Sequence, residues 1–563
     1  MKRLTAALLL IISILLLTAC AAPAPPEEAE FKLTLCTGPE PASLDPQTAG
    51  PEQYVYGLHL FEGLTRYVPA GKEAGDDPRV EAAEIAAGQA ESWEVSADGL
   101  TWTFRLRDDI CWSDGSPVTA ADFVFAWQRL TDPAADCPEG DLLAGVVAGA
   151  AAIRRGEAAA DTLAVSAPDE RTFTVTLEQP CPWLPELCAR PALSPLPEQA
   201  VREWGGQWAT AEHLVSNGAF TLELWVEEHF LKLVPNETYY DRESLGPAEL
   251  FCYFGATETE TLALFEDGTC DFIQGFPTEA AASLRAAGFC RTLPRPGLCL
   301  LHFSCLNLPD WRVRAALALA VDKEGLCRAL AGGQTPAEGL ADAFTTLSDG
   351  SSVRDSGSDA LWAGLAASYP EADLNGAEGR QELARQLLAA AQADGYAQDR
   401  PLTLICAAGE VSRTGAACLQ NDIRQVLSLD VEIRELDEAA FAQALAAGEF
   451  DLARVAWHTP CEDAARYPAM FASGSDRNYG GWSSPEYDLL WAEAAAASGA
   501  ERDSLLLQAE ARLFQAGAFP CWPLYDFGCQ YCLRDAGRIV YAPRAGFLFH
   551  QARPLDAGTE AAS

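Results

Sequence analysis

Residues 380 to 435 repeat one pattern twice, a helix followed by a strand. Apolar residues at helical spacing predict helices over 380–394 and 415–427, and short apolar runs predict strands over 401–406 and 429–435. Parallel strands need a long connection, usually a helix, so this alternation predicts a partly parallel sheet covered by helices. We therefore expect this part of the chain to form an α/β domain.

A further strand is predicted over Phe450–Trp457, where residues alternate between two faces. Pro460 ends the run, because proline has no backbone N–H to donate to a neighbouring strand. Arg454 and Trp457 are thus predicted where a strand runs out into a loop, the usual place for ligand contacts in α/β proteins. The alternative is a core strand whose arginine is satisfied within the protein.

Two other segments shape the expected path of the chain. Residues 310–330 place Val313, Leu317 and Val321 at helical spacing and predict a helix. Residues 349–379 are rich in Ser, Gly and Asp, which predicts a long surface loop.

Length and charge limit the classes of protein and partner. At 563 residues the chain is long enough for about two to four domains. It carries 39 Lys and Arg against 81 Asp and Glu, a formal net charge of −42. Such an acidic surface repels phosphate backbones, so nucleic acid is not expected as a partner.

The sequence contains no catalytic or cofactor motif. Its six histidines are dispersed, and it has no HExxH, GxSxG or phosphate-loop pattern. Cys529 and Cys532 have metal-like spacing, but no second cysteine pair or histidine pair lies near them, so no metal is expected. We expect a binding protein without a cofactor, not an enzyme.

The N-terminal residues predict export and anchoring. A short basic start precedes an apolar run from Leu4 to Leu17, as in a secretory signal over residues 1–19. The tetrapeptide LTAC that ends at Cys20 resembles the lipobox of bacterial lipoproteins. That resemblance implies a lipid on Cys20 and attachment to the outer face of the cytoplasmic membrane. Residues 20–30 are rich in Pro and Ala and predict a flexible tether.

Five ordered segments share a further likeness. Residues 41–67 carry a Ser-Leu-Asp-Pro motif and then a Glu-Gly-Leu motif, and residues 90–133 (beginning AESWEVSADGLTWTFRLRDD) form a long second block. Later landmarks lie at 310–330, 482–494 and 519–527. Together they resemble the family 5 extracellular solute-binding proteins, the peptide- and nickel-binding partners of ABC importers, and most closely the oligopeptide binders.

The resemblance implies an α/β, two-lobe periplasmic-binding-protein-like fold with an extra domain in the first lobe, a three-domain type II protein. In this class the ligand is enclosed when the lobes rotate about a hinge. We expect the chain to cross between lobes near 298–300 and 528–530. The expected domains are lobe 1 (31–62, 192–298 and 529–563), its extra domain (63–191) and lobe 2 (299–528).

The resemblance also implies a function. We expect a monomeric, lipid-anchored extracytoplasmic protein that captures oligopeptides in the cleft between the lobes. It would deliver them to the permease subunits of an ABC importer. The alternative is a receptor or scavenger on the same fold, without a dedicated permease, for a non-peptide or N-blocked ligand.

One departure from the family pattern concerns the peptide amine. Oligopeptide binders typically carry an Asp three residues after the Trp that matches Trp457, and that Asp pairs with the free amine. Here the position holds Pro460. Either Glu462 or Asp463 replaces the missing carboxylate, or the ligand is not anchored by an amine. Glu438 stands where peptide binders have an aromatic residue, and it is a further candidate.

Other candidates for ligand contact come from both lobes. Arg454 would bond a ligand carbonyl or hold the hinge, and Trp457 would form a cleft wall or belong to the core. Arg413, expected in a loop after the strand 401–406, is a candidate for a ligand carboxylate. Glu52 and Tyr54, expected in a loop of the first lobe, are candidates from the opposite side.

The resemblance suggests one disulfide. Some relatives carry a cysteine pair at the lobe crossing and the ligand loop, where this chain has Cys299 and Cys461. A disulfide between these two cysteines is a hypothesis, since disulfides form in the oxidising environment that exported proteins meet.

Overall fold

The structure is a computed structural model of the chain. It describes residues 30–49, 53–354, 360–374, 376–458 and 463–555. Cys20, Glu52, Pro460, Cys461 and Glu462, on which several predictions rest, lie outside these ranges.

Three sheets organise the described residues. The largest contains eleven strands, and Thr335–Pro336 pairs beside its main path. The other ten follow the order Val431–Leu436, Leu402–Ala407, Leu452–Trp457, Cys290–Phe303, Cys521–Leu533, Phe272–Ile273, Lys32–Cys36, Glu249–Tyr253, Phe230–Pro235 and Phe220–Val226.

The predicted alternation of helices and strands over residues 380 to 435 is present in the structure. Leu402–Ala407 runs parallel to Val431–Leu436 on one side and to Leu452–Trp457 on the other. The helix Glu410–Leu427 connects the first of these strands to the second along the chain, and the helix Glu438–Ala447 connects the second to the third. The predicted α/β build with a partly parallel sheet is confirmed here.

Two smaller sheets lie in the first part of the chain and at its end. One contains Ala90–Val95, Thr101–Leu106, Thr172–Thr176 and Val165–Asp169. The other joins Thr65–Glu73 and Val80–Ala87 to the late strands Arg538–Ala542 and Gly546–Arg553. This second sheet combines two strands of the expected extra domain (63–191) with two strands of the expected lobe 1 (529–563). The domain boundaries remain a prediction.

Helices cover the sheets and connect their strands. They are Tyr54–Leu60, Ala120–Thr131, Ala150–Arg154, Leu184–Cys188, Glu198–Trp204, Glu258–Glu266, Ala281–Ala286, Trp311–Leu319, Lys323–Leu330, Ala360–Ser368, Ala377–Ala393, Glu410–Leu427, Glu438–Ala447, Arg466–Ala469, Pro485–Ala496 and Gly499–Leu513. Within the described ranges, none is long and apolar enough to cross a membrane.

Two predictions of local structure were wrong. The expected loop over 349–379 contains the helix Ala360–Ser368, because Leu361 and Leu365 are fully buried against the helix Gly499–Leu513. The single helix expected over 310–330 divides into Trp311–Leu319 and Lys323–Leu330. Asp322 begins the second helix, since its side chain accepts a hydrogen bond from the N–H of Gly325 at 2.9 Å.

Two long strands, Cys290–Phe303 and Cys521–Leu533, pair side by side along most of their length. We call them the crossing strands. Their pairing register shifts between Arg295 and Leu298 and again between Cys299 and Leu300. A register shift bends and twists a sheet locally. These shifts lie at the point where we expected the chain to pass between lobes, near 298–300.

Candidate functional site

The strand Leu452–Trp457, here the site strand, lies between Leu402–Ala407 and the first crossing strand. Its pairing places Arg454 opposite Leu301 on one side and Cys406 on the other. Leu452 to Val455 are all buried, whereas Ala456 is exposed and Trp457 partly exposed. Arg454 is thus in the interior, and Trp457 lies where the strand ends, as predicted.

Arg454 makes its polar contacts with residues from two other elements. Its Nη2 donates a hydrogen bond to the hydroxyl of Tyr525 on the second crossing strand. Its Nη1 donates to Oγ of Ser412 at 3.2 Å, from the helix Glu410–Leu427. The guanidinium carbon also lies 5.6 Å from the centre of the Tyr525 ring, a cation–π contact.

The charge of Arg454 has no acidic partner among the described residues. Burial disfavours the charged form, but Cys299 and Tyr525 outweigh it and raise the pKa of Arg454 above its usual value. The guanidinium therefore stays protonated, although Arg454 is only 5% exposed. Its Nε is buried and has no hydrogen-bond partner in the described part of the chain.

Gly415 gives the Arg454 side chain its space. A Cβ at position 415 would lie 2.8 Å from Nε and 3.4 Å from Cζ of Arg454. Real Cβ atoms do not approach other heavy atoms as closely as 2.8 Å. The helix Glu410–Leu427 can pack this closely on the site strand because residue 415 has no side chain.

Aromatic rings continue from Tyr525 toward the end of the site strand. Tyr525 meets the edge of Phe527, with ring centres 6.0 Å apart. His458 stacks on Phe527 at 4.6 Å. Arg477 lies 4.4 Å from the ring centre of Trp457, whose buried indole N–H has no partner among the described residues. Tyr525, Phe527 and His458 thus form an aromatic row that starts at Arg454, and Trp457 has an unused donor at the end of the site strand.

The backbone at the register shift is fixed by Asp342. The N–H of Gly297 donates to its carboxylate at 2.7 Å, and the hydroxyl of Tyr467 donates to the same oxygen at 3.0 Å. Gly297 has φ of +108°, a conformation that favours glycine, and a Cβ there would lie 2.5 Å from the carbonyl oxygen of Trp457. The crossing and the end of the site strand are therefore packed directly together.

A second carboxylate lies next to this point. Asp526 on the second crossing strand accepts two hydrogen bonds of 2.6 Å from Nη2 of Arg354. Burial raises the pKa of Asp526 to about 6, although Arg354 acts in the opposite direction. The pair joins the crossing strand to the segment that precedes residue 355.

Arg413 and Glu438 both lie on helices and are exposed. Arg413 belongs to the helix Glu410–Leu427 and not to a loop, and its side chain is 63% exposed. It donates to Glu435 at 2.8 and 3.0 Å, which keeps the pKa of Glu435 below its usual value. Glu438 is exposed at the start of the helix Glu438–Ala447.

Asp463 already has a cationic partner. Both of its carboxylate oxygens accept from Nη2 of Arg502, at 2.7 and 2.8 Å. One oxygen also accepts from the N–H of Ala465 at 3.0 Å. To bind a peptide amine, Asp463 would have to exchange the Arg502 contact for a ligand contact.

Tyr54 is a buried helical residue, not the loop residue that we expected. It is the first residue of the helix Tyr54–Leu60 and is 4% exposed. Its hydroxyl donates to Glu139 and accepts from Arg190 at 2.8 and 3.1 Å. Its polar atom is therefore committed within its own part of the chain. Glu52 and Glu462 lie outside the described residues.

Sequence reasoning missed the partners of Arg454. Tyr525 falls inside the landmark at 519–527, but a landmark does not say which way a side chain points. Ser412 and Gly415 precede or open the predicted helix 415–427, where a Ser and a Gly look like boundary residues. The approach of these residues to Arg454 depends on the sheet order.

No group of three or more His, Cys, Asp and Glu side chains in the described ranges is arranged to hold a metal ion. Cys529 and Cys532 lie on the second crossing strand, and Cys529 instead accepts a hydrogen bond from Nε2 of Gln274 at 2.9 Å. Cys299 is a buried thiol near Tyr525, and its proposed partner Cys461 lies outside the described residues.

A family model described as bacterial extracellular solute-binding proteins, family 5 Middle, matches residues 84–479. The chain belongs to this family. Family 5 consists of solute-binding proteins, not enzymes, and its two-lobe fold agrees with the sheet order and the crossing strands described above. The recognition from sequence and the expected type II fold are both confirmed.

Individual family 5 proteins cover most of the chain. It is 31% identical over 497 residues to the probable deoxycholate-binding periplasmic protein of Escherichia coli (strain K12), with 86% of each chain covered. It is 30% identical over 501 residues to the periplasmic oligopeptide-binding protein of the same organism, covering 87% of this chain and 86% of the relative. Both relatives are periplasmic by name.

Solved structures of related binding proteins superimpose on most of this chain. The unliganded open form of the periplasmic murein tripeptide-binding protein superimposes with a TM-score of 0.72 at 26% identity, covering 93% of this chain and 98% of that one. The Haemophilus influenzae oligopeptide-binding protein in complex with the peptide RPPGFSPFR gives 0.68 at 25% identity, covering 94% and 100%.

Proposed function

We propose that this chain is a lipid-anchored, extracytoplasmic solute-binding protein that captures oligopeptides between its lobes and delivers them to the permease subunits of an ABC importer. Family membership supports capture of a solute, and a relative of 30% identity is named for oligopeptide binding. Anchoring rests on the LTAC motif ending at Cys20. Delivery to a permease, and action as a monomer, rest on the family.

The observation that carries the proposal is the buried charge of Arg454. A guanidinium enclosed without a carboxylate partner is costly, because neither water nor a counter-ion compensates it fully. A peptide supplies backbone carbonyls and a terminal carboxylate, which form charge-assisted hydrogen bonds with arginine. We assign Arg454 the role of receiving one of these groups.

The aromatic side chains at the end of the site strand support the same assignment. Trp457, His458 and Phe527 offer apolar faces that contact side chains of many shapes without selecting one sequence. The unpaired indole N–H of Trp457 is an additional donor for a peptide carbonyl. A binder of mixed peptides needs this combination of backbone recognition and tolerant apolar contact.

A second candidate function is supported by the missing amine anchor. Pro460 replaces the usual Asp, and Asp463 is held by Arg502 through both oxygens. The relative of 31% identity is named for deoxycholate, a ligand without an amine. These observations favour an anionic ligand that is non-peptide or N-blocked. The second candidate is a receptor or scavenger on the same fold for such a ligand, without a dedicated permease.

One binding experiment separates the two candidates. The chain without residues 1–20 is unfolded, washed and refolded, then incubated with a pool of random tripeptides to pentapeptides and with the N-acetylated pool. Bound species are recovered after gel filtration and identified by mass spectrometry. Retention of free-amine peptides supports oligopeptide capture, and retention of only acetylated peptides supports the second candidate. If neither pool is retained, peptide capture is contradicted.

A further inference from the structure

Two buried cysteines face each other across the crossing strands. Cys290 and Cys532 are direct partners in the antiparallel register, and both are fully buried. In the described strands this is the one register position at which two cysteines are paired. Both are free thiols in the structure, and the Cys290 thiol donates a weak hydrogen bond to the carbonyl of Arg291 at 3.9 Å.

The hydrogen-bond pattern shows which kind of pair this is. The N–H of Leu533 donates to the carbonyl of Phe289 at 3.1 Å, so the preceding pair in the register is hydrogen bonded. Hydrogen-bonded and non-hydrogen-bonded pairs alternate in antiparallel sheets, and the Cα atoms of the second kind are about 4.5 Å apart. That separation is within the range of about 4.4–6.8 Å found in disulfides. The backbone therefore needs little adjustment to join Cys290 and Cys532.

The two thiols differ in chemical character. The neighbouring Cys532 thiol and the positive charges of Arg285 and Arg291 favour the thiolate form of Cys290. Together these contacts lower the pKa of Cys290 to about 7. The neighbouring Cys290 thiol and burial raise the pKa of Cys532. These contacts exist only once the crossing strands have paired, so they do not decide which thiol reacts first with an oxidant.

We propose that Cys290 and Cys532 form a disulfide when the chain folds in the presence of a disulfide-bearing oxidant, either an oxidoreductase or oxidised glutathione. The thiolate of one of the two cysteines attacks one sulfur of the oxidant, forms a mixed disulfide and releases the oxidant's first thiol. The other cysteine then loses its proton and attacks the protein sulfur of this mixed disulfide, which releases the second thiol. Two protein thiols are oxidised, and one oxidant disulfide is reduced to two thiols. Because both cysteines end up buried, exchange takes place before the crossing strands close.

The position of this bond gives it a structural effect. Residues 290 and 532 enclose the whole stretch 299–528 that we assign to lobe 2. A bond that closes a loop of about 240 residues strongly restricts the unfolded chain and thereby stabilises the folded one. It would also join the crossing strands at their lobe 1 end, away from the register shifts near Leu298.

The test uses the chain without residues 1–20, exported to a bacterial periplasm. The purified protein is alkylated in denaturant without reductant and digested with trypsin. Trypsin cuts after Arg285, Arg291, Arg512 and Arg534, so the expected product is peptide 286–291 linked to peptide 513–534. Fragmentation must place the bond on Cys532, because Cys521 and Cys529 lie in the same peptide. Reduction must separate the two peptides.

Two variants control the assignment. Cys290→Ser must abolish the linked peptide, and Cys188→Ser, which changes an equally buried cysteine elsewhere, must leave it unchanged. Full alkylation of both Cys290 and Cys532 in the wild-type protein would overturn the proposal. So would a bond from Cys290 to another cysteine. Neither result depends on whether the variants fold, because both are read from the wild-type chain.

Discussion

The guanidinium of Arg454 on the site strand is hydrogen bonded to the hydroxyl of Tyr525 on the second crossing strand. Arg454 has no carboxylate partner in the described part of the chain. Tyr525 comes 71 positions after Arg454 and reaches it from the second crossing strand. The site strand and the second crossing strand are therefore linked by a buried cation. A ligand that engages Arg454 would act directly on this link.

Tyr525→Phe removes that acceptor and leaves an N–H of Arg454 unsatisfied. We expect a loss of about 1–3 kcal/mol in the free energy of unfolding, measured by urea denaturation, and a change in ligand affinity measured by calorimetry. The matched control is Tyr531→Phe on the same strand, whose hydroxyl donates to Asp77 at 2.9 Å. It should lower stability without changing affinity. Equal effects of both variants on affinity would mean that Tyr525 does not act through the site.

Gly415→Ala tests the close packing around Arg454. Alanine in a helix is favoured over glycine by about 1 kcal/mol, but here the new Cβ would lie 2.8 Å from Nε of Arg454. We expect the helix gain to be cancelled and ligand binding to weaken, because the guanidinium must move. Gly206→Ala is the control, since a Cβ there meets open space. Unchanged binding in Gly415→Ala would show that the Arg454 position does not matter to the ligand.

Asp422 should make stability depend on pH. It accepts a hydrogen bond from the N–H of Asp322 at 3.0 Å, and burial raises the pKa of its carboxyl to about 6. An unfolded Asp has a pKa of about 3.9. Between pH 4 and 6 the folded chain thus holds a proton that the unfolded chain has released, and this group's contribution to stability falls as the pH rises through that window.

Asp422→Asn removes the charge and keeps an acceptor. We expect it to raise the free energy of unfolding by about 1–2 kcal/mol at pH 7.5 and by little at pH 4. Urea denaturation at both pH values measures the difference, and Asp109→Asn on the exposed surface is the control. A gain that is the same at both pH values would contradict the raised pKa.

The Arg502 contact makes Asp463 a poor replacement for the missing amine anchor. Asp463→Asn should cost up to about 1 kcal/mol of stability, since the pair is partly exposed. It should leave unchanged the ratio of affinities for a free-amine peptide and its acetylated form. If that ratio falls toward one, Asp463 binds the amine after all. Glu462→Gln, compared in the same assay, tests the other candidate.

How far the sequence predicts this molecule depends on how local each feature is. The strands and helices between residues 380 and 435 were predicted because their apolar spacing lies within each segment. The helix Ala360–Ser368 was missed because its stability comes from Leu361 and Leu365 packing on the helix Gly499–Leu513, far along the chain. The sequence of a short segment cannot indicate a contact with a helix so far along the chain.

The candidate site shows the same division. Arg454 and Trp457 share one strand, so their placement near its end followed from the strand itself. Tyr54 looked free in the sequence, but Glu139 and Arg190, 85 and 136 positions away, occupy its hydroxyl. The pairing of Cys290 with Cys532 likewise follows from the strand register, which spacing along the chain does not reveal.

The most direct test of the account compares Arg454→Met with Arg413→Met. The most abundant peptide retained from the free-amine pool is synthesised and titrated into each protein by calorimetry. Methionine removes the charge at similar length, and we expect Arg454→Met to fold and to bind at least about tenfold more weakly. Arg413→Met, which changes an exposed arginine paired with Glu435, should bind like the wild type. Wild-type affinity in Arg454→Met would contradict the claim that this buried charge receives the ligand.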